Sequence, residues 1–198
     1  NNSAHNTGYA FYVFNSVIVD GKEIANPGRS GDRHTNLVAT GFDGQAAAAF
    51  QFVGGNPKID NLSVAGVGRE DIGITLSRTQ GAKVSNFSTT TTPGQGQYSW
   101  GIGLSRADGT VITNASVLGH AAAVRFSESR GLRVRGSNLT GYERCAIEVE
   151  EDSLSSSAIV FAKNFWGSAN GPVVTCSDDF LRLLNFARAR LNPISQIN

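Results

Sequence analysis

Apolar positions along this chain follow two nested periods. Short stretches alternate apolar with polar residues, as at Ile74/Leu76, Ile102/Leu104, Val124/Phe126 and Ile147/Val149, and a period of two marks a strand with one buried face. A longer period repeats the whole arrangement: Asn36, Asn61, Asn86, Asn114, Asn138 and Asn164 follow one another at steps of 25, 25, 28, 24 and 26 residues. Three copies align well around them. Leu76-Ser77-Arg78 leads to Gly81 and Asn86, Leu104-Ser105-Arg106 to Gly109 and Asn114, and Phe126-Ser127-Glu128 to Gly131 and Asn138. A unit of about 25 residues cannot close a core of its own and must stack on its neighbours, so the chain is expected to form a solenoid.

The inward parity changes at each asparagine. Ile59, Val84 and Ile112 lie two positions before it, with Val134 and Val160 four before, whereas Leu37, Leu62, Phe87, Ala115, Leu139 and Phe165 follow it immediately. The backbone must bend there, and asparagine tolerates the left-handed region better than most residues with a side chain. Stacked amides at such corners, about 4.8 Å apart, would form a ladder of hydrogen bonds. The expected fold is all-β: a parallel solenoid of six to seven coils, roughly 25 to 30 Å long, in one domain covering residues 1–198. Within it, residues 1–35 form an irregular first coil around Phe11, Val13 and Asn15 with a loop over 20–34, and residues 36–175 form the regular coils. Residues 177–191 read as a capping amphipathic helix, with Ser177 as its cap, Asp178 and Asp179 in its first turn, Arg188 and Arg190 near its end and Pro193 beyond it. Phe180, Leu183, Leu184, Ala187 and Leu191 share its apolar face.

The segment Asn164-Phe165-Trp166-Gly167-Ser168-Ala169-Asn170-Gly171-Pro172 is similar to the Asn-x-Trp-Gly…Gly-Pro signature that follows the last coils of right-handed parallel β-helix proteins. Together with the repeat over residues 36–175, it makes the chain resemble the pectate-lyase-like and NosD-like proteins. That resemblance implies the right-handed coil. It also implies that an enzyme of this type would carry calcium-binding acids, a basic residue or paired carboxylates on one outward sheet. The corner column Arg78, Arg106, Glu128 and Glu151 comes nearest to this, yet it mixes signs and contains no clustered acid pair.

Composition narrows the field. The chain has 198 residues, 17 basic and 16 acidic, so its net charge points to no partner, nucleic acid included. Glycine is abundant at 23, and no apolar run is long enough to cross a membrane. A chain beginning with Asn1 suits a processed secreted protein or an excised fragment, so an extracellular or cell-surface location is expected. Cys145 and Cys176 are 31 residues apart, a little more than one coil, which allows either a bridge or two buried thiols.

Candidate chemistry is sparse. Three positions before each asparagine stand Arg33, Lys58, Lys83, Val111, Arg135 and Phe161, with Arg133 sharing the parity of Arg135. Five cations on one outward band could form a track for an acidic polysaccharide, or simply a solvated surface. The 28-residue step holds an insertion, residues 89–100, rich in threonine and glycine and carrying Tyr98 and Trp100, which either stack on a sugar or fold back over the coil edge. Arg125 and Glu148 fall at equivalent outward positions on adjacent coils and should pair. Glu148, Glu150, Glu151 and Asp152 form an acidic cluster without calcium-loop spacing.

His5, His34 and His120 lie at unrelated points of the repeat, and methionine is absent, so neither a metal centre, a copper site nor a catalytic histidine can be assembled. No cofactor is expected. The residues therefore suggest a non-catalytic extracellular module with a structural, adhesive or filament- and sheath-forming role, whose partners are identical subunits stacked end to end or the remainder of a larger surface protein. The alternative is a carbohydrate-active enzyme or glycan-binding domain acting on an acidic polysaccharide.

Overall fold

A computed structural model describes residues 2–5, 11–14, 16–19, 22–25, 32–41, 48–92, 94–150, 159–167, 172, 176 and 184–187. In chain order the strands are β1 (Asn2–His5), β2 (Phe11–Phe14), β3 (Ser16–Val19), β4 (Lys22–Ala25), β5 (Arg33–Thr40), β6 (Ala48–Val53), β7 (Lys58–Val67), β8 (Ile72–Ser77) and β9 (Lys83–Thr91). They continue as β10 (Trp100–Ser105), β11 (Val111–Thr113), β12 (Ser116–Leu118), β13 (Ala122–Ser127), β14 (Arg133–Arg135), β15 (Asn138–Thr140), β16 (Cys145–Val149), β17 (Ile159–Ala162) and β18 (Leu184–Ala187).

Every strand pair except the β3–β4 hairpin is parallel. One sheet stacks β2, β6, β8, β10, β13 and β16 in sequence, and a ten-stranded sheet runs beside it. The result is a parallel β-solenoid of about five turns, somewhat fewer than the six to seven expected. Each turn has three strand segments, two of which meet at the asparagine corner. β5, β7 and β9 run continuously through that corner, whereas the next turns break there into β11 and β12, then β14 and β15.

The corner is a backbone conformation before it is a side chain. Asn36, Asn61, Asn86 and Asn114 hold φ between 54° and 57°. In the following turns the same place is taken by Gly136 (φ 57°) and Lys163 (φ 58°), because Thr113 pairs with Arg135 and Arg135 with Ala162. Asn138 and Asn164 therefore leave the expected ladder. Asn138 pairs with Ser116 on the outward face of β15, and Asn164 turns inward, fully buried. Its Oδ1 accepts the Ser137 N–H at 3.0 Å and its Nδ2 donates to the Val134 carbonyl at 2.9 Å. Glycine meets the conformational demand without a Cβ penalty, which is why the amide could be dispensed with.

Apolar side chains from all three segments fill the centre, including Phe50, Phe52, Leu62, Phe87, Leu104 and Phe126. Phe161 belongs to this core opposite Val134, and Val160 lies outward opposite Arg133, the reverse of the expected parity. Where the second and third segments approach, one inward column stays small: Ala49, Gly73, Gly101, Ala123 and Ala146. A Cβ on Gly73 would lie 2.5 Å from Thr89 Oγ1 and 2.8 Å from the Gly101 carbonyl oxygen, and one on Gly101 would overlap Val117 Cγ1. Close packing of the coil therefore excludes larger residues here.

At the carboxyl end, Leu184–Ala187 forms a strand parallel to β17, with Phe186 in register with Phe161. The expected helix is thus a sheet extension over these residues, and the rest of 177–191 lies outside the described residues. An uncovered sheet edge offers a row of backbone donors and acceptors, and pairing with it satisfies more of them than a helix laid alongside would. At the other end, β1 pairs with β5 and β2 with β6, in parallel, and Asn15 lies outside the described residues. Lys22–Ala25 is not loop but the second arm of the β3–β4 hairpin.

If the corner requires φ rather than an amide, Asn114→Ala should lower stability by about 1–2 kcal/mol, and Asn114→Gly should recover most of that loss. Urea unfolding of the two variants beside the parent chain measures the difference.

Candidate functional site

The first strand segment presents two outward columns. Arg33, Lys58, Lys83, Val111, Arg133 and Val160 are mutually in register, and beside them run Thr35, Asp60, Ser85, Thr113, Arg135 and Ala162. Arg135 and Phe161 therefore do not belong to the basic column, as spacing had suggested, and Arg133 does. The slip is two residues at Arg135, because Gly136 occupies the corner, and one at Phe161, because Lys163 does. Arg33, Lys58 and Lys83 are exposed and stack on three consecutive turns, with Asp60 and Ser85 beside them around an open depression of about 220 Å³.

Asp60 is already engaged. Its Oδ1 accepts the Ser85 hydroxyl at 2.7 Å and the Asn86 amide at 2.8 Å. These two bonds, the Ser85 one first, hold its carboxyl below the usual carboxylate range, with Arg33 helping. The amide ladder is split by this contact: Asn61 donates to Asn36 at 2.6 Å and Asn114 donates to Asn86, but Asn86 donates to Asp60 instead of Asn61. Asp60 thus ties the basic face to the corner.

A second cluster lies on the outer face of the third segment. Trp100 is the first residue of β10, and its indole N–H donates to Glu148 Oε2 at 2.8 Å. The Arg125 guanidinium sits 4.4 Å above the indole ring, pairs with Glu150 and lies 3.9 Å from Glu148. Arg144 also reaches to 3.9 Å of Glu148. Trp100 therefore lies along the outer face of the two following turns, against Arg125 and Glu148. Tyr98, in a 3-10 turn at Gly96–Tyr98, remains 43% exposed, with Arg69 4.8 Å from its ring centre. Arg125 and Glu148 are in register, as expected. Glu151 and Asp152 lie outside the described residues.

At the neighbouring corner Arg106 and Glu128 form a two-pronged pair at 2.8 and 2.9 Å. That contact lowers the Glu128 carboxyl and raises the Arg106 guanidinium from their ordinary values. Arg78 holds the same left-handed corner conformation one turn earlier. Both side chains of the pair are substantially exposed, so water screens most of its energy.

The histidines are structural where they are described. His120 is buried, with Ser99 Oγ 3.1 Å from Nδ1 and Thr89 Oγ1 3.1 Å from Nε2. Because the Ser99 hydroxyl donates to the Gly96 carbonyl at 3.2 Å, Nδ1 carries the proton and Nε2 accepts from Thr89, which assigns the neutral tautomer from the network. Burial pushes the His120 pKa down to about 3. This Thr89–His120–Ser99 chain pins the insertion to the core, a link that the spacing of the histidines did not reveal. His34 faces inward against Phe52, ring centres 5.1 Å apart. Cys145 and Cys176 form a disulfide with Cα atoms 5.5 Å apart. Among the described residues no group of three or more His, Cys, Asp or Glu could hold a metal ion, and no helix is long and apolar enough to cross a membrane.

No protein-family model matches the chain, and no curated protein or solved structure is significantly similar to it.

Between pH 6.5 and about 3 the unfolded chain binds a proton at His120 that the folded chain refuses. Stability from this residue is complete above about pH 6.5 and falls on acidification, by up to about 1.4 kcal/mol per pH unit. His34, also lowered by burial, acts in the same direction. The urea midpoint should therefore drop between pH 7 and pH 5, and His120→Gln should flatten most of that dependence even if its midpoint at pH 7 is lower.

Proposed function

We propose that this chain is a non-catalytic extracellular β-helix module that adheres to an acidic polysaccharide through the Arg33, Lys58 and Lys83 strip. The observation that carries this reading is the register itself: three cations on successive turns flank a shallow depression and stand beside a column of hydroxyl and carboxylate groups. Stacked ammonium groups repel by about 1 kcal/mol per neighbouring pair in water, and an anionic polymer relieves that repulsion. At about 220 Å³ the depression is smaller and more open than a pocket that encloses a small molecule, which suits contact along a chain. The Cys145–Cys176 disulfide favours an oxidising compartment. The Asn164–Pro172 resemblance to pectate-lyase-like and NosD-like proteins agrees with a surface-exposed solenoid. Identical subunits or a larger surface protein would meet it at the ends of the coil.

One observation favours the enzymatic alternative: Glu148 and Glu150 share a face with Arg125 and Trp100. Their oxygens are, however, engaged by those same neighbours, so neither of these two carboxylates is poised for acid–base work. Mixing the chain with uronate polymers and following chain length is the direct check on this second reading.

The adhesion reading is tested on a heparin column. Lys58→Ser/Lys83→Ser should elute at clearly lower salt than the parent, with the slope of log affinity against log salt reduced by about two. Unchanged retention removes the strip as a binding face.

A further inference from the structure

We infer that the outward face of the second strand segment binds ice, holding the crystal through a regular grid of hydroxyl and methyl groups. This face is separate from the Arg33, Lys58 and Lys83 strip, and the inference does not rest on the polysaccharide reading.

The stretch that carries the grid has a fixed length. Left-handed corners bound it at Asn36 and Gly41, Asn61 and Gly66, Asn114 and Gly119, and Gly136 and Gly141, so four residues lie between the bends in each of these turns. In β7 two of the four, Leu62 and Val64, are buried, while Ser63 and Ala65 point outward. The insertion of the middle turn enters only after this stretch, and β9 keeps register with both neighbours through Thr90. One outward column is therefore Val38, Ser63, Ser88, Ser116 and Asn138. The other is Thr40, Ala65, Thr90, Leu118 and Thr140.

Over these five turns neither column contains a charged or aromatic residue. The other two outward faces of the same turns do carry charge, Lys58, Asp60 and Lys83 on one and Arg125 and Glu148 on the other. Protein interfaces are anchored mainly by Trp, Tyr and Arg, and sugar rings stack on aromatic side chains, so a face lacking all of these suits neither partner. What repeats instead is a small neutral side chain, at about 4.8 Å from turn to turn and about 6.7 Å between alternate residues of a strand. Both intervals lie close to lattice repeats of hexagonal ice. Hydroxyls one turn apart already stand at bonding range, with Ser88 donating to Ser63 at 3.0 Å, and each keeps acceptor capacity for water. Charged groups would impose hydration shells of their own geometry. Methyl groups instead restrict the orientation of the water beside them, and hydroxyl-anchored water between them then continues the crystal. Each position contributes little alone, but rigid registration lets the whole grid engage at once.

The test is to grow a single ice crystal in a dilute solution of the fluorescently labelled full chain. The parent should be incorporated into the growing ice. Ala65→Tyr and Thr90→Tyr interrupt the grid without entering the core, and both variants should be expelled into the liquid while circular dichroism and the urea midpoint match the parent. Leu118→Thr, which extends the threonine column from Thr90 to Thr140, should lower severalfold the concentration needed for incorporation. Exclusion of the parent from ice, or incorporation of both tyrosine variants as efficient as the parent's, overturns the inference. A dimer in sedimentation that either tyrosine variant dissociates assigns the face to a second copy and overturns it as well. None of these outcomes bears on heparin retention, so this inference and the polysaccharide reading fail separately.

Discussion

Parallel in-register stacking governs this molecule more than any single contact. Each turn hydrogen-bonds to the next residue by residue, so every side chain has a counterpart about 4.8 Å above and below it. Whatever a position does in one turn must be compatible with what it does in the next. Apolar columns reinforce one another, as in the succession Ile59, Val84, Ile112, Val134 and Phe161. Serines can bond across turns, as Ser88 does to Ser63 at 3.0 Å. Like charges are the disfavoured case, which gives the Arg33, Lys58 and Lys83 stack its interest. At the next corner, where Arg78 and Arg106 also follow one another, Arg106 is matched by the opposite charge of Glu128 on the turn after it.

The same rule decides where variation is allowed. The inward small column tolerates only glycine and alanine because two segments converge there. The corner admits asparagine, glycine or lysine provided that φ stays near 55°. Insertions enter between segments, and the longest one described is fastened by a neutral histidine whose two nitrogens are matched to two hydroxyls. Buried polar networks of this kind are stabilising only when every member is satisfied, and here the tautomer completes the set.

The fold was legible in the sequence because alternation and the 25-residue period are both consequences of stacking. The first four corner asparagines, the apolar segments and the Arg125–Glu148 register were all readable from it. The later turns misled because Asn138 and Asn164 happen to stand near the right spacing while Gly136 and Lys163 make the bend. Alignment on the inward pair Ile112 and Val134 would have put Gly136 beneath Asn114 and moved Arg133 into the basic column. The carboxyl-terminal strand was hidden for a different reason: its residues also suit an amphipathic helix, and only the free edge of β17 decides between the two. Of the candidate sites, the three-cation strip could be read from spacing. The split of the ladder at Asp60, and the docking of Trp100 between Arg125 and Glu148, depend on side-chain reach and leave no periodic trace.

A bend defined by backbone angle alone makes each winding interchangeable with its neighbours. Residues 58–82 begin at one member of the column and end just before the next, and both flanking corners share one geometry. In-frame duplication of such a segment would lengthen the body by one storey and copy Lys58 with it. The reach of the molecule and the number of ammonium groups along it are therefore linked quantities, and evolution can adjust both in whole steps like the divisions of a ruler.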